Sequence, residues 1–178
     1  GGGEKDGGTN SRVFSTIRTW MQEKTKPVFV VATANNISDL PPELLRKGRF
    51  DEIFFVDLPA KDERSNIFQI HLAKYGQQNI TDYAALAEKS KYFNGAEIEE
   101  TVKEAMFLSY VEDPESTQIS IRHLEKAIDQ IVPLAQTMKK KIDGLREWAS
   151  TRARPASSER NDEKLVLTET EKENQIVQ

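Results

Sequence analysis

Two asparagines and two arginines stand out in this chain. Asn35 and Asn36 end an apolar run at 28–34, and Arg46 and Arg49 follow on either side of Gly48. A second apolar run, 53–56, closes the segment. An Asn side chain both donates and accepts hydrogen bonds. An Arg offers a planar fork of donors that matches phosphate or carboxylate oxygens and keeps its charge. Polar and cationic groups delivered at the ends of two apolar strands suit the reading of an anion. The same residues also suit simpler roles. Asn favours turns, which fits Asn36 best. Arg is usually a solvated surface charge, and Arg49 is also near enough in sequence to pair with Asp51 or Glu52.

The elements that must position these groups are legible from periodicity. The run 28–34, VFVVATA, lacks alternation, as expected of a parallel strand covered on both faces. Residues 53–56 read as a second buried strand, and a short helix is expected at 42–46, with Pro42 near its start. Val13, Phe14, Ile17, Trp20 and Met21 share one helical face, predicting an amphipathic helix over 11–25 with Ser11 as N-cap. After Pro59 the pattern becomes helical throughout. Helices are expected over about 61–75, with Ile67, Phe68, Ile70 and Leu72, and about 82–90, with Tyr83, Leu86 and Ala87. A third begins at Asn94, with Glu97 three residues later as a capping-box partner. A fourth follows Ser120 and carries Leu124, Ala127, Ile128 and Ile131.

The register LPPELLRKGRFDE after the first strand resembles the second half of the ATPase module of the AAA family. The fold this implies is α/β, the C-terminal half of a P-loop NTPase parallel-sheet domain, followed by an all-α helical-bundle lid. The implied domains are 1–59 for the α/β part, 60–132 for the lid, 133–150 for a C-terminal helix and 151–178 for a tail without fixed structure. In the resemblance Asn35 takes the sensor 1 position, touching the attacking water and the γ-phosphate. Arg46 and Arg49 fall on the arginine fingers, which act on a neighbouring subunit's nucleotide. A homo-oligomeric ring, often a hexamer, follows from such an arrangement. The implied cofactor is ATP with Mg²⁺, and the implied partner is a protein substrate that the motor remodels.

Two features of the lid resemble nucleotide contacts. FNGAEIEE at 93–100 is similar to the family's Gly-Ala motif, placing Gly95 and Ala96 where an adenine ring approaches backbone. A simple helix start reads equally well there. His71, in IFQIHLAKY, matches a position whose His contacts adenosine in some members, although a lone His on an apolar face is more often a packing residue. Residues 133–150 read as one further helix with a small basic patch at 139–141, and the polar stretch after 150 has the composition of a disordered segment. This extension, with its RARPAS stretch, resembles AAA proteins of cyanobacteria and plastids, which implies a cytoplasmic or stromal location.

Composition bounds the alternatives. The chain has 178 residues, no Cys and two well-separated His, so thiol chemistry is excluded and a metal site is not expected. A net charge of −4 weighs against a generic nucleic-acid binder, and no run reaches the roughly 20 apolar residues of a membrane helix. No G-x-x-x-x-G-K-[ST] phosphate loop is present, and no strand ending in Asp-Glu precedes residue 28. The opening GGGEKDGGTNS lacks the Lys of such a loop and reads as a flexible connection. The expectation is therefore the C-terminal portion of an AAA ATPase, inactive alone, with the Mg²⁺ ligands outside this chain. Two rival readings stay open: a non-catalytic AAA-like assembly or regulatory module, and a DNA-associated ATPase using residues 139–141.

Overall fold

The computed structural model describes residues 6–37, 40 and 50–157. It divides into two compact units, residues 1–53 and 54–178.

In the first unit, helix α1 spans Asp6–Glu23. It begins well before the expected start, so the glycine-rich opening is helical from Asp6 onward rather than a loop. Gly7 and Gly8 cost about 1 kcal/mol each in a helix interior, but they lie in the first turn, where the N–H groups have no intrahelical acceptor in any case. Phe14, Arg18 and Met21 are half-buried, while Val13, Ile17 and Trp20 stay exposed. The expected strand at 28–34 is not formed: this stretch makes no ladder, and Phe29 is 93% exposed. A strand is completed by its neighbours, and among the described residues nothing pairs with it. The helix expected at 42–46 lies outside the described residues.

The described residues of the second unit are helical apart from connecting loops and one short parallel pair. Strand β1 is Phe54–Phe55, two residues instead of the expected four. Helix α2 spans Lys61–Lys74, α3 Tyr83–Lys89, α4 Gly95–Glu112 and α5 Ile121–Gln130. Several starts have a local cause. Asp82 accepts the Ala85 N–H at 3.1 Å. Asn94 accepts the Glu97 N–H at 2.9 Å while Glu97 accepts the Asn94 N–H at 2.8 Å, so the expected reciprocal cap forms. His123 Nδ1 accepts the Ser120 N–H at 3.2 Å.

The core gathers Phe68 and Leu72 of α2, Leu86 of α3, Ile98 and Val102 of α4, and Leu124 of α5, all essentially inaccessible. Ile70, placed with the apolar set from sequence, faces solvent. Buried Gln77 fastens the two loops at one end of the bundle. Its amide donates to the Thr117 carbonyl at 3.1 Å and accepts the Ile119 N–H at 2.8 Å.

The helix expected over 133–150 is two: α6, Leu134–Thr137, and α7, Lys139–Arg152. The break is slight. Met138 has ψ 19°, which turns one peptide, yet its N–H still reaches the Leu134 carbonyl at 3.0 Å. A smaller apolar cluster of Tyr92, Ala135, Leu58 and Ile142 seats this pair. Tyr92 holds a left-handed φ of 69°, a cost its buried ring offsets.

Of the polar stretch after 150, residues 151–157 are described: Thr151 and Arg152 end α7, against the expectation of a tail without fixed structure. Arg154–Pro155 forms strand β2, parallel to β1 with Phe54 opposite Arg154 and Phe55 opposite Pro155.

Candidate functional site

A cavity of about 630 Å³ opens within the second unit. Its size falls in the range of small-molecule sites, roughly 300–1,000 Å³. One side is the segment Phe55 to Pro59 leading out of β1, and another is the first half of α2, with Glu63, Asn66 and Ile67. The N-terminus of α4 contributes Asn94 and Gly95, α7 contributes Ile142 and Leu145, and Ser157 completes the lining.

The polar groups around it are fixed. Asp57 accepts Arg146 Nε with both carboxylate oxygens, at 3.0 and 2.9 Å, and also accepts the Leu58 N–H at 2.8 Å. This pair joins the β1–α2 connection to α7 across 89 residues. Glu63 accepts the Ala60 N–H at 2.9 Å with one oxygen and the Ser157 hydroxyl at 2.5 Å with the other. Glu97 accepts from Asn94 and, through its second oxygen, from the Leu134 N–H at 2.6 Å. One buried carboxylate thus serves the N-termini of both α4 and α6, where the helix dipole favours negative charge.

Gly95 and Ala96 begin α4 as expected, Gly95 lining the cavity and Ala96 exposed beside it. Gly95 does not have a left-handed φ, and a Cβ built there meets no heavy atom within 4 Å. Neither backbone nor packing requires a glycine, so its missing side chain leaves open space at the cavity. His71 does not line the cavity. It sits one helical turn beyond Ile67, with Nδ1 buried, without a hydrogen-bond partner and 3.9 Å from Glu99 Oε1. Asn35 is exposed in the first unit. Arg46 and Arg49 lie outside the described residues. Among those described, no three His, Asp or Glu side chains converge to hold a metal ion.

Glu99 carries no mark in the sequence that sets it apart. It receives Lys74 Nζ at 2.8 Å, the Tyr75 hydroxyl at 2.8 Å and Lys103 Nζ at 3.3 Å. Hydrogen bonding by Lys74, then Tyr75 and Lys103, lowers its pKa to about 2. A carboxylate with a depressed folded-state pKa contributes stability above its unfolded value, near 4.3, which is lost as pH falls toward the folded value. Between about pH 4.3 and 2, the melting temperature of the native protein should therefore fall more steeply than that of Glu99→Gln. Parallel pH profiles of the two would show that Glu99 gains nothing from its cations. The i, i+4 spacing of Glu99 to Lys103 is visible in the sequence; Lys74 and Tyr75, brought in from the end of α2, are not.

Residues 2–58 match the family described as "ATPase family associated with various cellular activities (AAA)". This segment belongs to the AAA family. It is 50% identical over 147 residues to the AAA domain-containing protein ycf46 of Guillardia theta, a match covering 82% of this chain and 28% of that protein. It is 49% identical over 158 residues to ycf46 of Pyropia yezoensis, covering 85% and 31%. The ATP-dependent zinc metalloprotease FtsH of Mycoplasmopsis synoviae is 35% identical over 112 residues, 63% of this chain and 16% of that protein. The chain thus spans about three tenths of the length of the ycf46 relatives. AAA membership implies a P-loop NTPase fold, to which this chain contributes a helix-rich part with a small parallel sheet. Among the described residues no helix is long and apolar enough to cross a membrane.

Proposed function

We propose that this AAA chain supplies the γ-phosphate-sensing residues and the helical lid of an ATP-binding, ATP-hydrolysing remodelling protein. The observation that carries the reading is the register of Asn35, Arg46 and Arg49 within the segment matching the AAA family. The second unit adds support, being helical with an α4 that starts with Gly95 at the edge of a cavity.

Hydrolysis of ATP redistributes negative charge over the γ-phosphoryl oxygens, and the protein contributes position and electrostatics. The Asn35 amide holds the attacking water as acceptor while donating toward the phosphate. Arg46 and Arg49 reach the γ-phosphate bound by a neighbouring subunit, which makes the assembly a closed homo-oligomer, a hexamer by family analogy. Gly95 and Ala96 approach the adenosine at the start of α4, and His71, which does not line the cavity, stands one helical turn beyond Ile67, which does. Bound Mg²⁺ neutralises phosphate oxygens; in this reading its ligands are supplied elsewhere in the full-length protein. The substrate is a protein, and the location is plastid stroma or bacterial cytoplasm.

Asn35→Ala in the full-length protein should lower turnover about 10²-fold, the cost of removing one preorganised polar contact to a transition state, with ATP binding retained. Asn36→Ala, a turn position in this reading, should turn over normally. Single-turnover hydrolysis alongside equilibrium ATP binding measures both. Equal turnover in the two variants would remove the sensor assignment.

A further inference from the structure

The cavity has a wall that the helical fold does not itself require. After α7 the chain doubles back and lays Arg154–Pro155 beside Phe54–Phe55. The Ala156 N–H then donates to the Phe55 carbonyl at 2.9 Å, continuing the ladder. Next, the Ser157 hydroxyl donates to Glu63 Oε1 at 2.5 Å, and Ser157 enters the cavity lining. Glu63 is immobilised in turn by the Ala60 N–H, at the start of α2. Behind the strap, the Asp57–Arg146 pair fixes the position from which α7 launches it.

The chemistry of the lining decides what part of a ligand belongs there. Two carboxylates, Asp57 and Glu63, and two side-chain amides, Asn66 and Asn94, are set among apolar walls. None of the described lining residues is Lys or Arg. A phosphate would meet the Glu63 carboxylate, Asp57 being already paired with Arg146. A flat, uncharged ring with amino or ring N–H donors would meet apolar walls and acceptors. The cavity therefore suits the base end of a nucleotide, with the phosphates directed away from it.

We propose that residues 153–157 are a strap that closes the base end of the nucleotide site, with Ser157 as its polar contact and Glu63 as its fastening. The proposal rests on the reading of Gly95 as a nucleotide contact and adds a binding element to it. The short ladder, its added Ala156–Phe55 backbone bond and the Ser157–Glu63 contact are local enough to open without unfolding the bundle. The strap accordingly governs how fast nucleotide leaves rather than whether the lid folds.

The test uses the full-length protein and a fluorescent ATP analogue. Replacing 153–157 with a Gly-Ser segment of equal length should raise the analogue's dissociation rate about tenfold, affinity differences of this kind residing mainly in release. Ser157→Ala should shift it in the same direction by less. Gly95→Leu, which the backbone tolerates and which fills open space at the cavity, should weaken binding whether or not the strap matters. Faster release in both strap variants supports the proposal. Native release rates in them, with binding lost in Gly95→Leu, would overturn the strap alone. Native behaviour of all three would overturn the nucleotide reading and the strap together. If the Gly-Ser variant fails to fold, Ser157→Ala decides between the same outcomes.

Discussion

Arg46→Ala in the full-length protein should abolish almost all ATP turnover, by about 10³-fold or more, while nucleotide affinity changes little. An arginine supplied in trans to a transferring phosphoryl group typically contributes about 10³–10⁵ in rate, because it meets charge that is fully developed only in the transition state. Arg46→Lys should recover little, since an ammonium cannot reproduce the planar fork. The trans arrangement gives a sharper test than the single variant. A subunit carrying Arg46→Ala keeps its own Asn35, and a subunit carrying Asn35→Ala keeps its own Arg46. Mixing the two inactive proteins places some Arg46-bearing subunits beside intact Asn35 sites, so activity should reappear on mixing. Turnover near native in Arg46→Ala would sink the finger assignment, and absence of complementation would show that Arg46 acts within its own subunit. Arg49→Ala separates the two roles open to that residue. A finger variant loses turnover with stability intact; a local partner of Asp51 or Glu52 loses little of either, as exposed ion pairs contribute only about 0–1 kcal/mol.

How far the sequence reaches depends on the range of the interactions involved. Helices α2 to α5 are legible because their signals are local: apolar spacing, the Asp82 cap, and the Asn94–Glu97 reciprocal cap three residues apart. The stretch 28–34 illustrates the converse. Its composition is that of a buried strand, yet a ladder is a property of two segments, and among the described residues it has no partner. The stretch from 151 to 157 departs from expectation in the other direction. TRARPAS has the polarity of a solvated tail, but backbone groups of Phe54 and Phe55, far away in sequence, pair with it. Parallel pairing at that separation leaves no periodic mark on either segment. Of the candidate site's lining, Gly95 is marked in the sequence by a motif, whereas the Asp57–Arg146 pair, Glu63 and Ser157 become visible only when folding brings 57, 63, 146 and 157 together.

The second large effect concerns Arg64, which nothing in the sequence marks out. It lies on α2 with only 1% of its surface exposed. Its Nε donates to the Ala87 carbonyl at 3.0 Å and its Nη1 to the Pro59 carbonyl at 2.9 Å. The residue thus ties the end of α3 to the turn that precedes α2. Two effects oppose each other when it is removed. Burying a guanidinium carries a desolvation cost of several kcal/mol that a neutral side chain avoids. Against this, the Ala87 and Pro59 carbonyls each lose a hydrogen bond from a charged donor, the stronger kind, worth about 1.5–3 kcal/mol. Arg64→Ala adds lost packing of the long aliphatic stem and should lower unfolding stability by about 3 kcal/mol. Arg64→Met keeps the stem and loses only the donors, so it should fall between Arg64→Ala and the native protein. The urea midpoint reports both, provided the slope of the transition is unchanged. A Met variant equal to native would mean that desolvation and hydrogen bonding cancel at this site. Pro59 itself lines the cavity, so the same variants should loosen nucleotide binding in step with stability. A variant that weakened binding at native stability would instead make Arg64 part of the site, a role its burial and backbone partners argue against.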